Sequence, residues 1–223
     1  MKNQELFSLS FANRFARNRS ESKYPYLWDG LIGLWIPSLG HQGGTILRDY
    51  SNNNNHLTIA GGMTNEDLLL SEKGYVLDFD GVNDEASVTI NHNVGTGDFT
   101  WCAWVNTARL TDYNGIMSVG SFAPNFAVDS GPSSTNWGAY WDAERASGNI
   151  LSLNRWYHLT FTRKNGILYF YQDGDRTANT YSVSTSMANT TFRIGHNGNT
   201  SFLLGKLGDA RFYNRALSGQ EIR

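Results

Sequence analysis

The sequence has little of what would assign it to several common classes of protein. With one cysteine, Cys102, in 223 residues, it can form no disulfide within the chain. Charged residues make up 17% of the chain and the net charge is −2, so there is no bulk electrostatic attraction to nucleic acid or to an anionic membrane surface. No apolar run approaches the length of a membrane-spanning helix, and the first ten residues contain no apolar core of a signal peptide. We therefore expect no membrane span and no Sec-dependent export.

Motifs of catalysis and of cofactor binding are also missing. There is no Gly-x-Ser-x-Gly sequence around a nucleophilic serine and no glycine-rich phosphate loop. The five histidines, at positions 41, 56, 92, 158 and 196, lack the spacing of metal ligands. Cys102 lies in the apolar run 99–105, which favours a small buried side chain over a reactive thiol.

Aromatic residues and glycines are abundant by contrast, with 13% of the chain Phe, Trp or Tyr and 23 glycines. Short segments rich in aromatic and β-branched residues alternate with turn signals roughly a dozen times, and no long helical pattern occurs. This alternation predicts an all-β fold, a two-sheet antiparallel β-sandwich of the jelly-roll type. The spacing of Ser218 and Glu221 predicts a capping box and a short C-terminal helix.

The clearest local prediction is a β-hairpin. Segments 156–163 and 167–172 are strand-like, and Asn165-Gly166 between them supplies two residues that tolerate the positive φ of a tight hairpin turn. Segment 99–105 is apolar almost throughout, which predicts a central strand covered on both faces.

The first 23 residues differ from the rest of the chain. Phe7, Phe11 and Phe15 recur every four residues, a spacing typical of an amphipathic helix or arm, and the same stretch carries Arg14, Arg17, Arg19 and Lys23. We predict an N-terminal arm over residues 1–23 that docks on a neighbouring subunit, followed by one jelly-roll domain over residues 24–223. The alternative is a disordered basic tail, since termini are disordered unless they are tied down.

Several motifs resemble, in order and spacing, those of the laminin-G-like and concanavalin A-like lectin/glucanase jelly rolls. Examples are Leu77-Asp-Phe-Asp-Gly81 and the Asp209–Leu217 segment with its Tyr-x-Arg-Ala-Leu sequence. The further segments that carry the resemblance are 33–37, 47–56, 98–105, 156–163 and 169–174. The resemblance implies the fold and a module that binds. It does not fix a ligand, because fold alone does not carry function.

The resemblance also implies one structural calcium ion. Calcium takes six to eight oxygen ligands, which carboxylates, amides and backbone carbonyls supply. The candidate ligands are Asp49 with Asn52 in its loop, Asp80, and Asp209 near the end of the chain. The alternative is that Asp49 and Asp80 shape turns and Asp209 pairs with a neighbouring arginine.

Glycoside hydrolysis is an alternative function, because relatives with this architecture include glucanases. Asp142 and Glu144 lie two residues apart and would share one strand face, as paired catalytic carboxyls require. The glucanase pattern needs a third acid on that face, and Ala146 occupies its position. We therefore expect no catalysis.

Carbohydrate binding is the third possibility. Aromatic rings and polar side chains are mixed in the region 121–145, as in a concave face that binds sugar. The candidate glycan-binding residues are Phe122, Asn125, Asp129, Asn136, Trp137, Tyr140, Trp141 and Asp142. Because Trp137 and Trp141 alternate with Tyr140, the opposing interpretation is that one of these two sets faces the core.

Together these expectations describe a non-catalytic jelly-roll module at a virion surface, as a phage capsid decoration or tail-associated protein with glycan affinity. The alternatives are a free lectin-like module and a glucanase-like hydrolase. The expected location is a virion or extracellular surface. The expected partners are neighbouring subunits, contacted through residues 1–23 in an oligomeric assembly, and a cell-surface glycan whose weak affinity avidity would multiply.

Overall fold

The computed structural model describes most of the chain after the first 21 residues. The described ranges are 22–40, 44–90, 92, 94–120, 124–128, 136–141, 143–187 and 191–223. Phe7, Phe11 and Phe15 of the predicted arm lie outside them, so the division of the chain at residue 23 stays a prediction.

Two antiparallel sheets of eight strands each form a β-sandwich, which confirms the predicted fold class. The first sheet has the strand order β14-β13-β12-β7-β16-β5-β4, and β1 also pairs with β16. Its strands are β1 (Leu31–Trp35), β4 (Leu68–Ser71), β5 (Gly74–Asp80), β7 (Phe99–Thr107), β12 (Trp156–Lys164), β13 (Ile167–Gln172), β14 (Asp175–Ser182) and β16 (Leu204–Tyr213).

The second sheet has the order β11-β10-β9-β8-β15-β6-β3-β2. Its strands are β2 (Ile46–Leu47), β3 (Leu57–Ala60), β6 (Glu85–Thr89), β8 (Asn114–Val119), β9 (Asn125–Val128), β10 (Asn136–Tyr140), β11 (Glu144–Ile150) and β15 (Thr191–Ile194). Two short α-helices, α1 (Pro37–Gly40) and α2 (Gly219–Ile222), and two 3-10 turns (Pro25–Leu27 and Asn65–Asp67) complete the described elements. No helix of the described residues is long and apolar enough to span a membrane.

The core between the sheets is largely aromatic. The Trp35 ring stacks on Phe192 with centroids 4.9 Å apart, and the Trp101 ring forms an edge-to-face contact with the same Phe192 at 5.6 Å. Both tryptophans are fully buried, as are most of the large rings around them. Aromatic side chains bury a large apolar area each, so these contacts between the sheets supply much of the stability of the sandwich.

The predicted hairpin, the central position of segment 99–105 and the capping box are confirmed, whereas the outer face of that segment is partly exposed at Trp104. Strands β12 and β13 pair as a hairpin, with φ of 51° at Asn165 and 76° at Gly166 in the turn. Strand β7 lies between β12 and β16 at the centre of the first sheet. Helix α2 begins with the predicted capping box, in which the Ser218 hydroxyl accepts from the Glu221 amide and the Glu221 carboxylate accepts from the Ser218 amide.

Candidate functional site

The outer face of the first sheet carries two concave regions separated by Arg211 and Tyr213. The polar hollow has a volume of about 330 Å³ and is lined by Leu27, Cys102, Trp104, His158, Thr160, Asp173, Gly174, Asp209, Arg211, Tyr213, Leu217, Glu221, Ile222 and Arg223. The apolar hollow has a volume of about 340 Å³ and is lined by Tyr24, Leu27, Trp28, Leu31, Leu34, Ile36, Leu39, Tyr50, Arg211 and Tyr213.

Strand pairing brings the floor of the polar hollow together. On β7 and β12, His158 lies opposite Trp104 and Thr160 lies opposite Cys102, so these four side chains project from one face. On the other side of β7, Arg211 of β16 lies opposite Cys102. Three adjacent strands therefore supply the polar groups from regular, rigid positions.

A register shift in β16 decides which of its residues face outward. Leu207 and Ala210 both face the core although they are three residues apart, because the pairing with β7 is irregular between them. In a regular strand, residues separated by an odd number of positions face opposite sides. The irregularity changes the phase of the alternation and places Asp209 in the polar hollow together with Arg211.

Trp104 is the aromatic wall of the polar hollow. Its ring is partly exposed, with the Lys73 Nζ 3.7 Å from the ring centroid and the His158 ring 5.2 Å away at 49°. The ammonium group is attracted to the negative face of the indole ring, which fixes the orientation of the tryptophan. Because Lys73 lies over one face of the ring, Trp104 offers the remaining exposed part of its apolar surface beside polar neighbours.

The titratable groups of the polar hollow are perturbed mainly by burial. Burial, assisted by the charges of Arg211 and Lys73, lowers the pKa of His158 to about 4, so the imidazole is neutral at pH 7 and has one donor and one acceptor. Burial raises the pKa of Asp209, and the Arg211 charge opposes that shift. Burial also raises the pKa of the Cys102 thiol to about 11, so it stays protonated.

Three carboxyl groups line the polar hollow, and two of them have structural roles. The Asp173 Oδ1 accepts from the His158 amide at 2.9 Å. Glu221 caps α2 and forms an ion pair with Arg215 at 2.7 Å. Asp209 faces Arg211 across 3.9 Å, and both side chains are about one-third exposed (33% and 37%). Asp209 and Arg211 are thus the charged pair placed to meet a ligand.

The apolar hollow has a different construction. Strand β1 supplies Leu31 and Leu34, and the segment before it supplies Tyr24, Leu27 and Trp28. The Tyr213 hydroxyl donates to the Leu27 carbonyl at 3.1 Å and holds that segment against the sheet. The hydroxyl of Tyr50 donates to the carbonyl of Leu39 on the opposite rim.

The predicted glycan-binding residues around β9 and β10 are not gathered into one exposed face. Trp137 and Trp141 are 0% and 1% exposed and belong to the core, which corrects their assignment as a sugar platform. The Trp137 Nε1 donates to Gln172 at 2.9 Å. Strand alternation turns these two rings inward, as the opposing interpretation held.

The remaining residues of that prediction are divided between buried, half-buried and undescribed positions. Asn125 is buried, its side chain accepting from the Tyr140 amide and donating to the Asn197 carbonyl at 3.3 Å each. Asn136 and Tyr140 are half-buried. Phe122, Asp129 and Asp142 lie outside the described residues. Since Asp142 is among them, the proposed pair with Glu144, the first residue of β11, stays a prediction.

The predicted metal ligands occupy separate environments. Asp49 is buried and accepts from the amides of Leu34, Ser51 and Asn55 at 2.8–2.9 Å, so it organises the loop after β2. Asn52 is an exposed residue of that loop with φ 81°. Asp80 accepts from the Val82 amide at 2.8 Å in the turn before β6.

Asp209, the fourth predicted ligand, lies in the polar hollow with Arg211. Across the described part of the chain, no three or more His, Cys, Asp or Glu side chains are grouped so that they could hold a metal ion. A calcium site assembled from carboxylates together with amide and backbone oxygens stays a prediction.

Comparison with known proteins adds three results. A family model described as the concanavalin A-like lectin/glucanases superfamily matches residues 80–223. No curated protein matches the chain. Domain 4 of AbnA is similar to the chain, with a TM-score of 0.62 and 14% identity over 86% of this chain and 96% of that domain. AbnA is an extracellular GH43 arabinanase from Geobacillus stearothermophilus, and its domain 4 was solved in complex with arabinotriose.

Two further structures are similar to the chain. Trypanosoma rangeli sialidase, solved with a difluoro-KDN ligand, has a TM-score of 0.62 and 19% identity over 87% of this chain and 32% of the sialidase. The binding domain of Paraclostridial Mosquitocidal Protein 1 has a TM-score of 0.61 and 18% identity over 88% of this chain and 51% of that domain. The chain therefore spans about a third of the sialidase, and at these identities the similarity establishes the fold alone.

Proposed function

The chain belongs to the concanavalin A-like lectin/glucanase superfamily, and we propose that it binds a neutral glycan in the polar hollow without cleaving it. The observation that carries this proposal is the partly exposed Trp104 ring beside a neutral His158 and the partly exposed pair Asp209–Arg211. The arabinotriose complex of the AbnA domain, which has the same fold, gives independent support.

The chemistry of the polar hollow matches a sugar ring. The C–H face of a pyranose or furanose is apolar and packs against an aromatic ring, as Trp104 would allow. Each sugar hydroxyl is both a donor and an acceptor. Arg211 supplies donors, Asp209 supplies acceptors, and neutral His158 supplies one of each, so neighbouring hydroxyls find complementary partners.

The charges in the hollow favour an uncharged ligand. The lining carries Asp173, Asp209 and Glu221 together with Arg211 and Arg223, and Lys73 lies over the Trp104 ring, so acidic and basic groups are equal in number while His158 is neutral at pH 7. An acidic sugar would need an unopposed cation to repay the desolvation of its carboxylate. Arg211 is already opposed by Asp209 at 3.9 Å, so we propose a neutral glycan.

The carboxyl groups of the hollow are arranged for binding. Glycoside hydrolases of the common types use two carboxyl groups that flank the scissile bond. Asp173 and Glu221 are held by hydrogen bonds from backbone amides, which leaves Asp209 as the acid placed to reach a ligand. A single available acid supports recognition over hydrolysis.

The test is a glycan array probed with the full chain, with added calcium and with a chelator, followed by titration calorimetry on the glycans that bind. Asp209→Asn should weaken binding at least tenfold, which is about 1.4 kcal/mol. The matched control is Asp78→Asn, since Asp78 is also partly exposed, pairs with Lys206 at 3.7 Å, and lies outside the hollow.

Three outcomes would contradict the proposal. An array without binding, with calcium and with chelator alike, would contradict glycan recognition. Equal losses of glycan affinity in Asp209→Asn and Asp78→Asn would show that the polar hollow is not the binding site. Release of reducing sugar by the wild type, abolished in Asp209→Asn, would replace binding by hydrolysis. Binding lost only with chelator would support the calcium prediction, without bearing on where the glycan binds.

The virion-surface setting predicted from the sequence stays a prediction. Its main support is the aromatic and basic pattern of residues 1–23. Glycan binding in the polar hollow does not depend on it, because the residues that would contact the sugar all lie on the sandwich and α2.

A further inference from the structure

The apolar hollow is a concave surface that the described residues leave without a cover. Nine of its ten lining residues are aliphatic or aromatic, Arg211 being the exception. Its volume of about 340 Å³ lies within the range of pockets that hold small ligands. A pocket of this composition, rimmed by the main chain of the 24–28 segment, fits an apolar side chain better than a polar ligand.

We propose that the segment containing Phe7, Phe11 and Phe15 folds back and covers the apolar hollow of its own chain. This docking is independent of glycan binding. It changes the sequence-based prediction in one respect, because the receiving surface is on the same molecule instead of on a neighbouring subunit.

The N-terminal segment joins the described part of the chain close to the apolar hollow. The description begins at Ser22, and Tyr24, two residues later, already lines the hollow. Phe15 lies nine residues before Tyr24, and an extended chain spans at most about 3.3–3.6 Å per residue, or roughly 30 Å in all. All parts of the hollow are therefore within reach of Phe15 and of the residues before it.

The side chains of the N-terminal segment match the chemistry of the apolar hollow. Phe7, Phe11 and Phe15 are large apolar side chains at a spacing that puts them on one face of a helix, with Arg14 before Phe15 and Arg17 and Arg19 after it. Such a stripe loses apolar exposure when it packs against leucine, isoleucine and tryptophan side chains, and the arginines can remain in water. The hollow offers those partners in Leu31, Leu34, Ile36 and Trp28.

The N-terminal segment docks on its own chain in preference to a second copy because the two are covalently linked. A segment joined to its receptor by a short linker has an effective concentration in the millimolar range. A second copy at micromolar concentration would compete at a disadvantage of about a thousandfold for the same contacts. Docking within the chain therefore prevails wherever the linker can span the distance, and the linker here is long enough.

The test uses the full chain with the photo-cross-linking residue p-benzoylphenylalanine in place of Phe11. After irradiation, mass spectrometry should find the cross-linked peptides at the hollow, within residues 24–39 or around Arg211 and Tyr213. The matched control carries the same photo-cross-linking residue in place of Asn13, which lies off the phenylalanine stripe and should give at most about a tenth of the yield.

Substitutions on the receiving side sharpen the test. Leu39→Glu on the rim of the hollow should reduce the Phe11 cross-link at least tenfold, and Leu70→Glu, an exposed leucine on β4 away from the hollow, should leave it unchanged. Mixing isotopically light and heavy chains distinguishes the occupants. Cross-linked pairs in which both peptides are light or both are heavy support the proposal. Mixed pairs identify a second copy instead, and cross-links scattered over the sandwich, or none at all, overturn docking at the hollow.

Discussion

The two hollows share a face of the first sheet and a wall made of Leu27, Arg211 and Tyr213, yet their chemistry is opposite. On one side of the wall, β7 and β12 present Trp104, His158 and Thr160 outward. On the other side, β1 presents leucines. The comparison shows that the chemistry of a concave surface on a β-sandwich is set by the outward residues of the strands on each side, while the fold sets only where the concavity lies.

Removing the Tyr213 ring from the shared wall should cause the largest loss of stability among these variants. Tyr213 is 1% exposed and packs in the small apolar cluster of the outer face with Leu31, Leu34, Leu217 and Ile222. Tyr213→Ala should lower the free energy of unfolding by about 3–5 kcal/mol, because it leaves a cavity where a large aromatic ring was. Urea unfolding at pH 7 measures the change.

The matched control for that variant is Tyr213→Phe. It keeps the ring and removes the hydroxyl, which donates to the Leu27 carbonyl and interacts with the Arg211 side chain, and this loss should cost about 1–2 kcal/mol. If Tyr213→Ala and Tyr213→Phe lowered the free energy of unfolding equally, the contribution of Tyr213 would come from its hydroxyl. The packing of the ring between the two hollows would then add nothing to stability.

The second prediction separates the hollows by their response to pH. The pKa of His158 is about 4 in the folded protein against 6.5 in the unfolded chain, so the unfolded state binds more protons between these values. The contribution of the neutral His158 imidazole to the free energy of unfolding is fully present above pH 6.5 and is lost as the pH falls toward 4. From pH 7 to pH 5 this loss should be at most about 2 kcal/mol, at about 1.4 kcal/mol per pH unit.

The check is urea unfolding of the wild type and His158→Gln at both pH values. The wild type should lose up to about 2 kcal/mol more than the variant on acidification. Leu34→Ala provides the contrast from the apolar hollow, since the loss of buried methyl groups should cost about 2–4 kcal/mol at either pH. A pH dependence that survives in His158→Gln would assign the proton uptake to another group.

The fold could be predicted from the sequence because its signals are local. The Asn165-Gly166 turn, the apolar run of β7 and the Ser218–Glu221 capping box each specify a short piece of backbone directly. Strands such as β14 were not predicted, since Asp175–Ser182 is polar and carries no apolar stripe. An edge strand of this kind forms because the neighbouring strand offers it hydrogen-bonding partners, which a local pattern cannot show.

The site was harder to predict because it depends on contacts between distant segments. The sequence-based prediction placed the sugar in the region 121–145, where Trp137 and Trp141 are core residues. Trp104 also lies in an aromatic strand segment but faces outward, and Asp209 joins it only through the irregular register of β16. Alternation along a strand gives two faces, and it does not say which of them is the inner one.

The smallest expected effect on stability belongs to the pair proposed to contact the glycan. Asp209 and Arg211 are 3.9 Å apart and about one-third exposed, a geometry in which solvent screens most of the attraction. Burial raises the pKa of Asp209, so its charged form gains little from folding. Asp209→Asn should therefore change the free energy of unfolding by less than about 0.5 kcal/mol while it weakens glycan binding tenfold. Thermal unfolding and calorimetry on the same preparation measure the stability and the glycan affinity of the variant. A variant that lost both stability and binding would make Asp209 a structural residue. A residue placed for the ligand can instead be replaced without disturbing the sheet beneath the polar hollow.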